Sequence, residues 1–365
     1  MNLDEIIRNK ITENNNFIGF DEFMSMALYY PGKGYYSNGS KKFGRDGDFI
    51  TAPETSDLFG FCIAKQCKQI LDSFPYILEF GAGNGTLACQ ILFYLAKHNQ
   101  LPKYYYIVEL SADLKDRQRK LIEKVLPEVL DRIIWLNELP NEFEGVVIAN
   151  EVIDAIPAKR IKKMGGKFQE QGVCIKDDSL EYAFSSLNIN LDDYSIPDSL
   201  EEGYTTEVNI QARGWIHSVY SMMKRGVVLI IDYGMDRDTF YHPQRVEGTL
   251  RCYSQHKATE NPFENIGTQD ITTSVNFSDL ADASKEAGFN IEGYCTQAMF
   301  LISLGIQEFL SEEKDSDQKI SYAQEIKQLI LPSAMGESFK VLALKKDFHG
   351  ALVCFKEQNL IDKIL

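Results

Sequence analysis

The feature that most constrains the fold is a glycine-rich loop between a short apolar run and an amphipathic segment. Residues 76–80 (YILEF) are followed by Gly81-Ala82-Gly83-Asn84-Gly85, and a helical pattern then continues over residues 86–98. A strand that turns through glycines directly into a helix is the opening of a β-α-β unit. From this point the chain is therefore expected to build a parallel sheet with helices packed on it.

Short apolar runs and amphipathic stretches keep alternating after the loop, which predicts an open, doubly wound, mainly parallel α/β sheet. The further strands are predicted at residues 104–110, 133–136, 145–149 and 227–231, and the helices of this part at residues 112–125, 210–224 and 278–288. Ahead of the first strand, helices are predicted at residues 3–13, 20–29 and 55–73, with an ordered loop over residues 35–54. The expected fold is thus an α/β core with an N-terminal helical extension.

An insert is predicted between the fourth and fifth strands. Residues 160–164, 167–175 and 180–184 alternate by two around glycine and aspartate turns, which indicates an antiparallel β meander. Residues 235–277 have no clear periodicity. The expected organisation has four parts: an N-terminal helical region with a lid loop (1–74), the α/β core (75–158 and 205–300), the meander with an acidic connection (159–204), and a C-terminal extension that completes the core (301–365).

The spacing of the glycines distinguishes two classes of cofactor. A dinucleotide fingerprint, G-x-G-x-x-G, would place its third glycine at position 86, which is Thr86, whereas here it falls at Gly85. Glycines let the backbone approach a ligand closely, and the helix N-terminus behind them offers N–H groups. Glu109 closes the second strand, where a carboxylate can accept both ribose hydroxyls. The loop and Glu109 together favour S-adenosylmethionine over a nicotinamide cofactor and over a turn without a ligand.

Polar residues follow the fourth strand at the carboxyl edge of the predicted sheet. Asn150, Glu151 and Asp154 come directly after the buried run 146–149. Because Glu151 and Asp154 are three residues apart, they would share one face of a turn or helix start, and helix capping is the alternative interpretation. An enzyme that methylates arginine needs carboxylates to hold the planar, charged guanidinium. Glu151, Asp154 and the later Glu207 are the candidates.

Several motifs together resemble the MidA family of S-adenosylmethionine-dependent methyltransferases. They are GDFITAPE at 47–54, the glycine loop, NE and DA within 150–155, Glu207 before a helix, IDYG at 231–234, GTLR at 248–251, HK at 256–257, GTQD at 267–270 and MGE at 335–337. The resemblance covers almost the whole chain. It implies a fold of the class I methyltransferase type and an enzyme that forms symmetric ω-dimethylarginine on a protein.

The family's mitochondrial members are complex I assembly factors, so the resemblance implies a protein partner carrying an arginine, such as a subunit of the respiratory NADH dehydrogenase. The alternatives are a cofactor-binding assembly factor without catalysis and a small-molecule methyltransferase. The expected catalytic residues are Glu151, Asp154 and Glu207. The expected cofactor contacts are Thr51, Pro53, Glu79, Gly81, Gly83, Gly85, Glu109, Asn137 and Asn150. Asp48, Thr51, Pro53 and Glu54 resemble a lid over the cofactor, with a purely structural loop as the alternative.

Composition narrows the classes of partner. A formal net charge of −15, without a dense basic run, argues against nucleic acid. The seven cysteines are scattered without a C-x-x-C pair, and the five histidines form no cluster, so free thiols and no metal are expected. No apolar run approaches the ~20 residues of a membrane span. With neither a signal nor a transit pattern at the start, a cytoplasmic protein is expected, or a matrix protein if a transit peptide was removed. The oligomeric state stays open, with a homodimer among the alternatives.

Overall fold

A computed structural model describes residues 1–39, 51–254 and 257–365. Its helices are α1 (Leu3–Glu13), α2 (Phe20–Tyr29), α3 (Ala52–Thr55), α4 (Asp57–Leu71), α5 (Thr86–Lys97), α6 (Ala112–Val125), α7 (Ile210–Met222), α8 (Arg237–Phe240), α9 (Phe277–Ala287), α10 (Gln297–Ser303), α11 (Ile306–Glu312) and α12 (Ser316–Ile330). Its strands are β1 (Ile18–Gly19), β2 (Tyr76–Phe80), β3 (Tyr104–Val108), β4 (Ile133–Leu136), β5 (Phe143–Asn150), β6 (Lys159–Met164), β7 (Lys167–Lys176), β8 (Ser179–Ser185), β9 (Thr205–Val208), β10 (Met223–Met235), β11 (Arg251–Ser254), β12 (Lys257–Thr259), β13 (Asp270–Thr272), β14 (Val275–Asn276), β15 (Asn290–Thr296) and β16 (Phe339–Lys346).

These elements form two compact units. The core unit comprises Ile50–Val152, Ile216–Gly234 and Leu280–Leu365, and the insert unit comprises Met1–Phe49, Ile153–Trp215 and Met235–Asp279. The four-part organisation expected from the sequence stays a prediction. The N-terminal helices α1 and α2 belong to the same unit as the meander, whereas α3 and α4 belong to the unit of the large sheet.

The core unit is built on a sheet with the strand order β15-β16-β10-β5-β2-β3-β4. From β10 to β4 all neighbours are parallel, and β16 pairs antiparallel with both β10 and β15. The central strands contain continuous apolar runs, as expected for a parallel sheet that is covered on both faces; Val146, Val147 and Ile148 of β5 are fully buried. The predicted doubly wound, mainly parallel sheet is confirmed.

The sheet contains a switch point between β2 and β5. From β2 the chain passes through α5 to β3 on one side, whereas β5 has β10 as its neighbour on the other side. Ligands of doubly wound sheets bind at the carboxyl ends of the two strands where the order reverses. The loop at residues 81–85 and the turn that begins at Glu151 leave the sheet at this point.

The insert unit contains an antiparallel sheet in the order β1-β7-β6-β9, with β8 paired to β7. The meander of β6, β7 and β8 is the one predicted; in addition, β9 pairs with β6, and the two residues of β1 pair with β7. Apolar residues of α1 and α2, among them Ile7, Ile11 and Phe23, form a core with Val173 and Leu180. The region without periodicity contains α8 and a small sheet of β11, β12 and β13, whose strands of three or four residues are too short to show a period.

Two glycines let β5 and β10 pair closely next to β2. Gly226 lies opposite Gly145 in the register, and their φ angles are +135° and +149°. A Cβ on Gly226 would lie 2.0 Å from the carbonyl oxygen of Gly145, and one on Gly145 would lie 2.1 Å from that of Tyr76. We therefore expect Gly226→Ala to lower the free energy of unfolding by more than ~1 kcal/mol in a denaturant titration, because both space and φ exclude a side chain.

Gly214 provides the matched control for this substitution. It lies inside α7, and a Cβ there would meet no atom within 4 Å. Alanine is favoured over glycine in a helix by up to ~1 kcal/mol, so Gly214→Ala should be neutral or stabilising. Equal stability of Gly226→Ala and the wild type would contradict the packing described for β5 and β10.

Candidate functional site

The glycine loop after β2 adopts a backbone that side chains disfavour. Gly81, Gly83 and Gly85 have φ angles of 58°, 53° and 90°, and Gly85 is the N-cap of α5. A Cβ on Gly85 would lie 3.2 Å from the Cα of Gln118 on α6. The N–H of Gly81 donates to the carbonyl of Val108 at 3.1 Å, which ties the loop to the end of β3. Glycine is thus required here both by conformation and by the close approach of α6.

The short helix α3 supports the loop. The Glu54 carboxylate accepts hydrogen bonds from the Thr86 hydroxyl at 2.7 Å and from the Asn84 amide at 3.5 Å. Thr51 is the N-cap of α3, and the Pro53 carbonyl accepts from Gln90 Nε2 on α5 at 2.8 Å. The segment that contains the predicted contacts Thr51 and Pro53 is therefore packed against the helix that follows the loop. Asp48, proposed as part of the lid, lies outside the described residues.

Two buried carboxylates, Glu79 and Glu109, lie at the ends of β2 and β3. The hydroxyl of Tyr105 donates to Glu79 at 2.7 Å. Burial raises the pKa of Glu79 to about 7; the Tyr105 hydrogen bond lowers it, and the charge of Glu109 raises it further. Glu109 accepts from the Ser111 N–H at 2.9 Å and from Gln118 Nε2 at 3.2 Å. Burial also raises the pKa of Glu109, whereas these two donors and Lys115 lower it.

The two asparagines predicted as cofactor contacts differ in their surroundings. Asn137 is exposed, and its side-chain oxygen accepts a hydrogen bond from Lys115. Asn150 ends β5, and its amide nitrogen donates to Glu151 Oε1 at 3.3 Å. The side-chain oxygen of Asn150 is buried and has no hydrogen-bond partner. A buried, unsatisfied acceptor is costly, so this oxygen is suited to a donor group on a ligand.

Glu151 has a left-handed backbone at the carboxyl end of β5. Its φ is 53°, which is uncommon for a residue other than glycine and is often found at functional sites. Its N–H donates to the Ile231 carbonyl at 2.9 Å, and the next N–H, of Val152, donates to Asp232 Oδ2 at 3.2 Å. The end of β10 thus braces the turn that carries Glu151. Residues 151–156 form bends and turns, so no helix begins there for these residues to cap.

The other two candidate catalytic carboxylates, Asp154 and Glu207, belong to the insert unit. The carbonyl of Asp154 accepts from the Thr273 N–H at 3.0 Å. Glu207 on β9 is buried, and one of its oxygens accepts from Arg160 Nε at 3.1 Å. Its other oxygen accepts from the N–H and the hydroxyl of Thr249 at 2.8 and 2.9 Å. Glu207 therefore already holds a guanidinium of the chain itself, and its catalytic role stays a prediction.

The structure adds residues that the sequence did not single out. Gln118 contacts both the glycine loop and Glu109, Tyr105 binds Glu79, and Asp232 braces the turn at Glu151. Asp232 could have been found from the sequence, since it lies in the IDYG segment that resembles the family pattern. For Gln118 the only signal is a polar side chain in the stripe of α6 that buries Leu114 and Ile122.

The profile of a protein family described as "Putative S-adenosyl-L-methionine-dependent methyltransferase" matches residues 62–295. The chain belongs to this family. It is an S-adenosylmethionine-dependent methyltransferase, which confirms the cofactor predicted from the glycine spacing and Glu109, and the predicted membership of the MidA family is confirmed as well.

Similar structures and curated relatives agree with this assignment. A Burkholderia thailandensis protein, a "likely methyl transferase" with bound S-adenosyl-homocysteine, is 38% identical with a TM-score of 0.94, and the match covers 98% of this chain and 95% of that one. The Drosophila melanogaster protein named "Protein arginine methyltransferase NDUFAF7 homolog, mitochondrial" is 27% identical, over 91% of this chain and 81% of the relative. Its Caenorhabditis elegans counterpart is 28% identical, over 88% and 82%. The predicted class I methyltransferase fold is confirmed.

Within 1–39, 51–254 and 257–365, no group of three or more His, Cys, Asp and Glu side chains is arranged to hold a metal ion. In the same ranges, every helix is too short or too polar to cross a bilayer. The seven cysteines are free thiols.

The raised pKa of Glu79 predicts a pH dependence of stability. Between about pH 4.5 and 7 the folded state retains a proton on Glu79 that the unfolded chain releases. The free energy of unfolding therefore falls as the pH rises through this range, and the contribution of the protonated carboxyl is lost above about pH 7. Glu79→Gln keeps an acceptor for Tyr105 and is never charged. At pH 8 we expect this variant to be more stable than the wild type by roughly 3 kcal/mol, and at pH 4.5 the two should be equal.

Denaturant midpoints measured from pH 4.5 to 8.5 test this prediction. Glu123→Gln, on the exposed side of α6, is the control and should stay within ~0.5 kcal/mol of the wild type at every pH. A stability difference for Glu79→Gln that does not change with pH would show that Glu79 titrates normally in the folded protein.

Proposed function

We propose that this methyltransferase acts on arginine in a protein and forms symmetric ω-dimethylarginine. The observation that carries the proposal is Glu151, a carboxylate residue with a left-handed backbone at the switch point of the sheet. Its own N–H and that of Val152 donate hydrogen bonds to acceptors near the end of β10. The Drosophila and Caenorhabditis relatives are named protein arginine methyltransferases, which supports the proposal. The proposed partner is a subunit of the respiratory NADH dehydrogenase or another protein that presents an arginine.

The residues at the switch point fit the cofactor, which supplies a methyl group bound to a positively charged sulfur. Gly81, Gly83 and Gly85 allow the backbone to approach it closely. The Glu109 carboxylate is proposed to accept the ribose hydroxyls, and the unsatisfied oxygen of Asn150 to accept a donor group of the cofactor. Glu79 is proposed to orient the loop, and Thr51, Pro53 and Asn137 to contact the cofactor at the rim.

The acceptor chemistry explains why carboxylates are needed. A guanidinium is planar and permanently charged, and paired hydrogen bonds to carboxylate oxygens hold it in a fixed orientation. The methyl group passes from the cofactor's sulfur, which is left as a neutral thioether, to the attacking nitrogen. That nitrogen must then lose a proton, and a carboxylate within hydrogen-bond distance can accept it. Glu151 and Asp154 are proposed for these roles. Glu207 completes the predicted set, although Arg160 and Thr249 already occupy its oxygens.

The direct test is transfer of a labelled methyl group. The purified enzyme is incubated with methyl-labelled cofactor and a lysate of source cells, and the labelled protein is hydrolysed to amino acids. The proposal predicts label in symmetric dimethylarginine. Label in metabolites alone would instead show a small-molecule methyltransferase. Intact cofactor binding without any transfer would show an assembly factor that uses the cofactor for stability.

Two glutamine variants separate a catalytic carboxylate from a structural one. Glu151→Gln should lower kcat by at least ~10²-fold, because general-base catalysis contributes that much, while cofactor affinity and stability stay near the wild type. Glu207→Gln should lower the free energy of unfolding by about 3 kcal/mol, because it leaves the buried Arg160 without its counter-charge. Methylation kinetics, calorimetry and denaturant titration measure these effects. Wild-type kcat for Glu151→Gln would contradict its proposed role.

A further inference from the structure

We propose that Gln118 is a positioning residue of the cofactor site, which fixes the glycine loop and Glu109 relative to each other through one buried amide. The inference rests on the proposed binding of the ribose by Glu109. All residues involved belong to the core unit.

The amide of Gln118 connects three parts of the site. Its nitrogen donates to the carbonyl of Gly83 in the loop at 3.0 Å and to Glu109 Oε2 at 3.2 Å. Its oxygen accepts the indole N–H of Trp135 on β4 at 2.9 Å. One side chain of α6 therefore reaches the loop after β2, the carboxylate after β3 and a side chain of β4.

The chemistry of the partners allows only one orientation of this amide. The indole N–H of Trp135 can only donate, and the Gly83 carbonyl can only accept. A flipped amide would place its NH₂ against the indole N–H and its oxygen against the carbonyl. Trp135 thereby directs both amide hydrogens of Gln118 toward the loop and Glu109.

The position of Gln118 is unfavourable for a polar side chain unless these contacts are made. It is fully buried and occupies the apolar stripe of α6 between Leu114 and Ile122. An amide buried there costs free energy unless it is hydrogen-bonded. Gly85 allows the close approach, because a Cβ on it would lie 3.2 to 3.4 Å from the Cα, Cγ and Cβ of Gln118. The same glycine thus serves both the loop conformation and the contact with α6.

The donor from Gln118 also bears on the charge of Glu109. Burial raises the pKa of this carboxyl, while the hydrogen bonds from Ser111 and Gln118 and the charge of Lys115 lower it. An ionised carboxylate has two accepting oxygens for the ribose hydroxyls, and a protonated one has fewer. Removing the Gln118 donor should therefore move the acid limit of cofactor binding to higher pH.

Calorimetric titration with S-adenosylhomocysteine from pH 5.5 to 8.5 tests the inference. Gln118→Met keeps the length of the side chain and removes its hydrogen bonds. We expect the affinity for S-adenosylhomocysteine to fall at least ~10-fold at pH 7, with the acid limit of binding shifted to higher pH. Gln118→Glu, which places a second carboxylate against Glu109, should shift the limit further. Trp135→Phe keeps an aromatic ring but removes the N–H that orients the amide, and should give a smaller loss of affinity. If Gln118→Met folds poorly, Gln118→Glu and Trp135→Phe carry the test.

The control is Gln66→Met. Gln66 is equally buried, but its amide binds Gln69 and the N–H of Cys354. Its replacement should leave affinity and pH profile unchanged. Affinity within twofold of the wild type for Gln118→Met, or a loss that is the same at every pH, would overturn the inference. Glu109→Gln distinguishes the proposed role of Glu109 from that of Gln118. Unchanged affinity in Glu109→Gln would refute the binding of the ribose by Glu109. Lost affinity in Glu109→Gln together with normal affinity in Gln118→Met would refute only the role of Gln118.

Discussion

The carboxyl ends of β2 and β5 lie side by side in a parallel sheet, and the chain continues from them toward opposite edges. Because of this divergence, the glycine loop and the turn at Glu151 leave the sheet at the same place. The left-handed glycines, the buried carboxylates Glu79 and Glu109 and the unsatisfied oxygen of Asn150 are all arranged around it. The proposed cofactor site thus depends on the order of the strands in the sheet.

Much of the fold could be predicted because its signals are local. The strand at Tyr76–Phe80 and the helices at Leu3–Glu13 and Phe20–Tyr29 have the predicted bounds, since each shows a clean period and an obvious break. The pairing of β16 between β10 and β15 could not be predicted, because an antiparallel partner is selected by tertiary packing and leaves no trace in a short apolar run. The small sheet of β11, β12 and β13 has strands too short for any period.

The residues of the candidate site likewise include some that the sequence predicts and some that only the structure reveals. Gly81, Gly83, Gly85 and Glu109 follow from spacing, since strand ends and glycines are visible in the chain. Gln118 and Arg160 do not, because their partners are brought together only by folding. A single sequence shows the carboxylate of Glu207 but not that Arg160, 47 residues earlier, already pairs with it. Charged groups at the right place in a sequence therefore predict an acceptor site less securely than glycines predict a cofactor loop.

The most direct test of this account is the affinity of the Gly83→Val variant for S-adenosylhomocysteine, measured by calorimetry beside the wild type. Gly83 has a φ of 53°, and a branched side chain there should both strain the loop and block the approach of the cofactor. Gly165→Val is the control, since Gly165 has a φ of 62° in a turn of the insert unit with no atom within 4 Å of its Cβ position. The account predicts at least ~100-fold weaker binding for Gly83→Val and unchanged binding for Gly165→Val. Wild-type affinity in Gly83→Val would contradict the placement of the cofactor at this loop.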